Sequence, residues 1–199
     1  KVEFAIEKIL DRVNISSNLQ DTAVDQFVQF ETTASTSGGE HLQPLLKSIK
    51  ERLIVTFNYK SYKAASTEGW KKRIVHGHIL KEYRNRWYLI GYSEDKNKVI
   101  TYGLDRIRDL VVSEDYFIPQ KSFSADDYFK YAIGITTLDA KKPDKIEIFA
   151  NTILMQYLES QPLHSSQKMK TPTSDGAVFT FELHPTPEFD MAILSYGSQ

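Results

Sequence analysis

The sequence predicts an α+β fold in two parts, a small β-barrel followed by a ferredoxin-like βαββα(β) domain. Three observations predict it: five short β-rich runs between residues 54 and 113, a change of pattern after Pro119, and a β-α-β-β-α order from Lys145 onward. The expected boundaries are 1–40 for an N-terminal helix and connector, 41–118 for the barrel, 119–143 for a linker with a short helix, and 144–199 for the C-terminal domain.

Val2, Ile6, Ile9, Leu10 and Val13 recur at helical spacing, so residues 1–13 read as an amphipathic helix that starts without a cap and ends near Asn14. Val24 to Glu31 alternates in places and reads as a short strand, and Thr32 to Gly39 is a polar loop. Leu42, Leu45, Leu46, Ile49 and Leu53 mark a helix through Arg52, with Pro44 in the first turn, where its missing N–H is harmless. Strands follow at Ile54–Tyr59, Arg73–Tyr83, Arg86–Tyr92, Val99–Leu104 and Leu110–Ser113, separated by turn residues such as Arg84-Asn85 and Asp95-Lys96-Asn97. Ser124 then caps an acidic helix to Ala132, Gly134 follows it, and Ala140-Lys141-Lys142-Pro143 is a linker.

In the last part, Lys145–Phe149 reads as a strand, Thr152–Glu159 as a helix and Leu163–Lys170 as a strand. Ala177–His184 is a strand after the Ser174-Asp175-Gly176 turn, and Glu188–Tyr196 is a helix. Only the final strand of a β-α-β-β-α-β unit is missing, so the chain is expected to be a fragment of a longer protein.

Charge points to a partner. Residues 53–108 carry 12 lysines and arginines against 5 acids, a charge of +7, which leaves −8 for the rest of a chain whose net charge is −1. A basic segment inside an acidic chain suits an anionic partner such as a nucleic acid or nucleotide, and it equally suits a solvated basic face. The chain has no cysteine, which excludes disulfides, thiolate metal sites and thiol catalysis. No apolar run reaches the roughly 18 residues needed to span a bilayer, and the first ten residues lack a secretory pattern, so a cytoplasmic protein with no membrane partner is expected. Gly-x-Ser-x-Gly, the phosphate-binding Gly-Lys-Ser/Thr loop and His-Glu-x-x-His are all absent, and no enzyme and no cofactor is expected.

The densest constellation is Arg86-Trp87-Tyr88-Leu89-Ile90-Gly91-Tyr92 with Leu104-Asp105-Arg106-Ile107. Alternation puts Arg86, Tyr88, Ile90 and Tyr92 on one face of a strand and Trp87, Leu89 and Gly91 on the other, with bulky Trp87 assigned to the core. Tyr88, beside Arg86, becomes a stacking candidate. Arg86 and Arg106 can fork onto phosphate oxygens, although Arg106 after Asp105 can also form a structural ion pair. His76 and His78 share a side of their strand at a spacing compatible with two metal ligands, but no third ligand accompanies them and no metal is expected. His78 can instead donate to an anion near Lys81 and Tyr83, or stand as a surface histidine. The Tyr59 hydroxyl can join the same site or cap the core as a rim tyrosine.

These residues resemble the WYL-domain transcriptional regulators of bacteria. The resemblance rests on Ile54, Phe57 and Tyr59, the Ile79-Leu80-Lys81 strand, Arg86 to Gly91, Leu104 to Ile107 and the Phe117 to Phe123 exit. Pro162 to Gln167 and Ile193 to Gly197 look like the family's C-terminal extension. It implies an Sm-like or SH3-like barrel that senses single-stranded nucleic acid or nucleotide-like effectors, and the residues expected to make the contact are Tyr59, His78, Lys81, Arg86, Tyr88 and Arg106. It also implies promoter DNA as a partner, bound by a winged helix-turn-helix lying before Lys1. Two positions depart from the family pattern. Gly77 stands where proline is frequent, and Ile100 where an arginine is frequent, which removes a phosphate contact. Two other readings fit the residues: a protein-interaction module, with a possible homodimer, and a direct Sm-like RNA-binding protein.

Overall fold

A computed structural model of the chain describes residues 38–62, 69–118, 123–138 and 141–197, all within a unit spanning Thr36–Gln199. The helix expected over 1–13 and the strand expected over Val24–Glu31 lie outside the described residues. The unit is α+β, with two antiparallel sheets and two separate apolar cores.

A 3-10 turn at Gly39–His41 leads into α1, Leu42–Glu51. Gly38 before it has φ +95°, and a Cβ there would lie 2.5 Å from the Leu104 carbonyl carbon, so only glycine fits this approach. Pro44 falls in the first turn as the pattern requires, and Arg52 ends the helix in the left-handed region at φ 56°. Five strands follow: β1, Leu53–Tyr59; β2, Lys71–Tyr83; β3, Arg86–Ser93; β4, Lys98–Gly103; and β5, Ile107–Tyr116. Their order is β4-β3-β2-β1-β5. No ladder joins β4 to β5 among the described residues, so the five strands form an open sheet where a small barrel was expected, and a 3-10 turn at Leu104–Arg106 carries the chain between its two edges.

Burial alternates along β1, putting Leu53, Val55, Phe57 and Tyr59 inward. Phe57, Tyr59 and Tyr102 meet edge to face at centroid distances of 4.9–6.3 Å, and Leu45, Val75, Leu89 and Leu104 complete this core. Burial pushes the Tyr102 hydroxyl up to about 12, and it donates to Ser93 Oγ at 2.7 Å. Strands β2 and β3 are joined through Arg84 and Asn85, with φ 50° and 59°, the pair of positive values that a two-residue type I′ hairpin needs.

Gly77 pairs with Gly91 and Ile79 with Ile90, so His78 is the extra residue of a β-bulge. The bulge resets the alternation. Before it Val75 and Gly77 face the core with Leu89 and Gly91; after it Leu80 does, while Ile79 and Lys81 take the opposite side.

That opposite side is also covered. Ile90 and Leu89, neighbours on β3, both have 0% exposure. The segment from Phe123 to Thr136 crosses the second face: the Lys81 ammonium lies 3.6 Å from the Phe129 ring centre, Thr101 Oγ1 donates to the Ile135 carbonyl at 3.4 Å, and Gly134 abuts the Tyr83 ring. Within it, α2 is one turn, Ala125–Tyr128, with Ser124 Oγ accepting from Asp127 N–H at 3.2 Å. The helix expected through Ala132 stops there because Phe129 leaves helical backbone to place its ring on Lys81.

This double cover corrects the assignment of Trp87 to the core. Trp87 shares the side of Leu89 but stands opposite Glu82 at the hairpin end, on a groove of about 500 Å³ lined by Leu42, Leu46, Ile49 and Leu80, and it remains 39% exposed. Tyr88, on the supposedly outer face, is 8% exposed.

The second sheet contains β6 (Asp144–Asn151), β7 (Lys168–Met169) and β8 (Gly176–Leu183) in the order β6-β8-β7, with α3 (Thr152–Ser160) and α4 (Pro187–Leu194). Asn151 caps α3, its Oδ1 accepting from Ile153 and Leu154 N–H at 3.1 and 2.9 Å. The strand expected over Leu163–Lys170 shrinks to two residues because side chains take the backbone groups a ladder would use. Gln167 accepts from Leu163 N–H at 3.0 Å and donates to the Leu158 carbonyl at 2.6 Å, while Ser166 Oγ bonds both the N–H and the carbonyl of Glu182. The crossing segment joins the second sheet and its helices through His184 N–H to the Tyr131 carbonyl at 2.8 Å and Thr136 Oγ1 to Glu188 Oε1 at 2.6 Å.

A Cβ at Gly91 would meet His76 O and Val75 Cγ1 at 2.6 Å, whereas one at Gly69 would meet nothing. Gly91→Ala is expected to lower unfolding free energy by about 1–3 kcal/mol, and Gly69→Ala to leave it within about 0.5 kcal/mol, measured by urea titration.

Candidate functional site

The site grows from the turn between β4 and β5. Gly103 lets the chain fold back so closely that a Cβ would lie 2.6 Å from both Asp105 Oδ1 and an Arg106 terminal nitrogen. The Arg106 guanidinium carbon sits 5.2 Å from the Tyr59 ring centre and 4.3 Å from that of Tyr62, with Nε 3.7 Å from Asp105 Oδ1. That separation is too long for a hydrogen bond, and Nε is buried without a hydrogen-bond partner among the described residues. Leaving such a donor unmet costs about 1–3 kcal/mol. Asp105 is held by the Tyr62 hydroxyl, which donates to Oδ2 at 3.2 Å. The Tyr59 hydroxyl accepts from Gly103 N–H at 3.3 Å, and burial raises its pKa above the ordinary tyrosine value against the pull of Arg106.

Tyr88 pairs with Gly103 on one side and Lys81 on the other, so it stands beside this turn. Burial raises its pKa; the Arg86 and Arg106 charges oppose that rise, and Asp105 and Glu188 add to it. Four charged groups, two of each sign, therefore act on one hydroxyl, which has no hydrogen-bond partner among the described residues. Glu188 arrives from α4, 6% exposed, with Oε2 unpartnered among the described residues.

Of the six residues singled out from sequence, Tyr59, Arg86, Tyr88 and Arg106 gather here. Lys81 is the cross-strand neighbour of Tyr88, but its ammonium is turned onto Phe129 and burial lowers its pKa. His78 is apart from them, stacked on Phe123 at 4.6 Å and 9°. Its pKa is lowered by burial and then by His76, which itself stacks on Phe117 at 4.7 Å and bonds Glu94 Oε1 at 2.9 Å. Both imidazoles thus clasp the chain leaving β5. Ile100 packs toward the first core opposite Gly91, on the face away from Tyr88.

Residues 40–112 match the family model of the WYL domain. This chain carries a WYL domain. No curated protein matches the chain. Among solved structures it is similar to proteasome accessory factor B/C (PafBC) of Arthrobacter aurescens, at 15% identity and a TM-score of 0.40, covering 78% of this chain and 22% of that one.

Two residues near the expected contacts escaped the sequence reading. Tyr62 was within reach, a few positions beyond the named Tyr59. Glu188 carries no local signal; only the docking of α4 brings it near Tyr88.

Because His78 is held below its ordinary pKa, the unfolded chain takes up a proton first as pH falls from 6.5, so stability is lost on acidification and kept above that value. His78→Phe, which retains the stack on Phe123, is expected to show a smaller loss between pH 7 and pH 5.5 than the parent in paired urea titrations.

Proposed function

We propose that this chain is the effector-sensing part of a bacterial DNA-binding transcriptional regulator, and that its effector is a nucleic acid or nucleotide-like anion. The observation that carries this reading is the pair Arg86 and Arg106 beside the free Tyr88 hydroxyl, with Arg106 Nε lacking a partner among the described residues. Phosphate oxygens would supply the missing acceptors, and a base would stack on tyrosine. Tyr59 fixes the turn, Lys81 becomes available when its ammonium leaves Phe129, and His78 holds the covering segment in place.

The strand order, with its 3-10 turn before β5, supports reading the first sheet as an Sm-like half-open barrel, and the order β6-β8-β7 supports a ferredoxin-like second domain. An effector at Tyr88 would meet the same face that the Phe123–Thr136 segment covers, and that segment holds Glu188. Regulation then follows if the effector binds one arrangement of that segment better than another, since equal affinity would shift nothing. Promoter DNA would be bound by a domain outside residues 1–199, in a cytoplasmic protein. A second reading, an interaction module forming a homodimer, draws on the groove with Leu46 54% and Trp87 39% exposed, and predicts a mass that rises with concentration.

Fluorescence anisotropy with labelled single-stranded oligonucleotides and cyclic dinucleotides tests the sensor. Arg86→Ala and Arg106→Ala are each expected to weaken binding by about 10–100-fold and to flatten its dependence on salt. Absence of binding by both ligand classes at low salt would sink the proposal.

A further inference from the structure

Along α1 runs a groove that the surroundings of Tyr88 do not use. It has two halves, which meet at Ile49, His78 and Ile79. The first half, about 500 Å³, is lined by Leu42, Leu46, Ile49, Leu80 and Trp87, and it is the place where Leu46 and Trp87 stay exposed. The second half, about 470 Å³, is lined by Arg52, His78, Phe117 and Phe123. Its polar groups are unengaged: Arg52 makes no ion pair, and neither ring nitrogen of His78 has a hydrogen-bond partner, among the described residues. Arg52 follows the last residue of α1, whose ten residues rise about 15 Å, so the cation stands at one end of the groove and Leu42 at the other. The helix itself carries Lys47 and Lys50 against the single acid Glu51.

We infer that this groove binds an amphipathic carboxylate, a fatty acid of medium chain length, with its head at Arg52 and His78 and its hydrocarbon chain along Leu46 and Trp87. The size is that of a small-molecule site, and so is the make-up, since such sites are mostly apolar with a few polar groups that fix orientation. The hydrocarbon chain would cover apolar side chains that otherwise face water. The carboxylate would give Arg52 the charge-assisted partner it lacks among the described residues. Burial holds the His78 pKa below its ordinary value, so at neutral pH the imidazole meets the head as an uncharged N–H donor. A neutral amphiphile leaves Arg52 unanswered, and a cationic one is repelled by Arg52 and by the two lysines of α1. The inference does not rest on the effector reading above, which concerns Arg86, Tyr88 and Arg106.

The protein contains two tryptophans, so Trp70→Phe leaves Trp87 as the only one and makes its fluorescence a reporter of the groove. This variant would be titrated, below micelle formation, with octanoate, dodecanoate, dodecanol and dodecyltrimethylammonium. The expected result is a saturable Trp87 response to dodecanoate, which binds at least about tenfold tighter than octanoate because its longer chain covers more apolar surface. Dodecanoate should also bind about tenfold tighter than dodecanol, which lacks the charged head, and the cationic amphiphile should bind weakest. Arg52→Asn, whose side chain tolerates the left-handed backbone at φ 56°, should lose about tenfold for dodecanoate and nothing for dodecanol. Leu46→Gln should weaken both. Melting temperatures equal to the parent's separate lost binding from lost folding. Equal affinity for dodecanoate and dodecanol, or Arg52→Asn that binds dodecanoate like the parent, overturns the inference. So does the absence of any dodecanoate binding, and a mass that rises with concentration and falls back in Leu46→Gln would then assign the groove to a second copy of the chain. None of these outcomes bears on the effector reading, which stands or falls with Arg86→Ala and Arg106→Ala.

Discussion

From Tyr88 to Gly91, strand β3 is buried on both sides. Leu89 belongs to the aromatic and aliphatic core built with α1, and Ile90, the next residue, is sealed by the segment running from Phe123 to Thr136. A strand in that position ties two layers together, because neither can leave without exposing a large aliphatic group, at a cost of about 1.5–3 kcal/mol each. The path of the chain after β5 follows from this constraint. It turns back over the sheet, held by Phe117 and Phe123 on two histidines and by Phe129 on Lys81, before it reaches the second sheet.

The same constraint explains why the polar groups around Tyr88 are tense. Covering that face for the sake of Ile90 also buries most of Tyr88 and brings the carboxylate of Glu188 near it. The remaining imbalance is local: Arg106 Nε and Glu188 Oε2 are each buried with no hydrogen-bond partner among the described residues. Groups left in that condition respond strongly to anything that supplies an acceptor or a donor. The aliphatic packing thus determines where polar groups remain responsive.

Much of this could be read from residue order. Alternation along Leu53–Tyr59 gave the buried face of β1, Arg84-Asn85 gave a tight turn, and Pro44 marked the first turn of α1. Trp87 was misplaced because alternation identifies two faces without saying how far the cover on each extends, and α1 ends its cover short of the hairpin tip. The bulge at His78 left no mark in composition, yet it decides which side Lys81 occupies. The 163–167 segment looked extended because its residues are compatible with a strand; the competing bonds of Ser166 and Gln167 depend on partners at Leu158 and Glu182. For the site, Tyr59, Arg86, Tyr88 and Arg106 were legible as residue types on adjacent strands, while Glu188 needed the whole chain in place.

The Arg84–Asn85 turn bears on the order in which the molecule assembles. A two-residue connection with both φ values positive closes on the microsecond scale and brings Lys81 beside Tyr88 before any distant segment arrives. Phe129 and Glu188 lie tens of residues downstream and reach that face only after long loops have closed, which is slower. One half of the surroundings of Tyr88 is therefore an early, locally encoded hairpin and the other a late arrival. In the finished protein, the late half is the one whose loss would leave the hairpin's own hydrogen bonds intact.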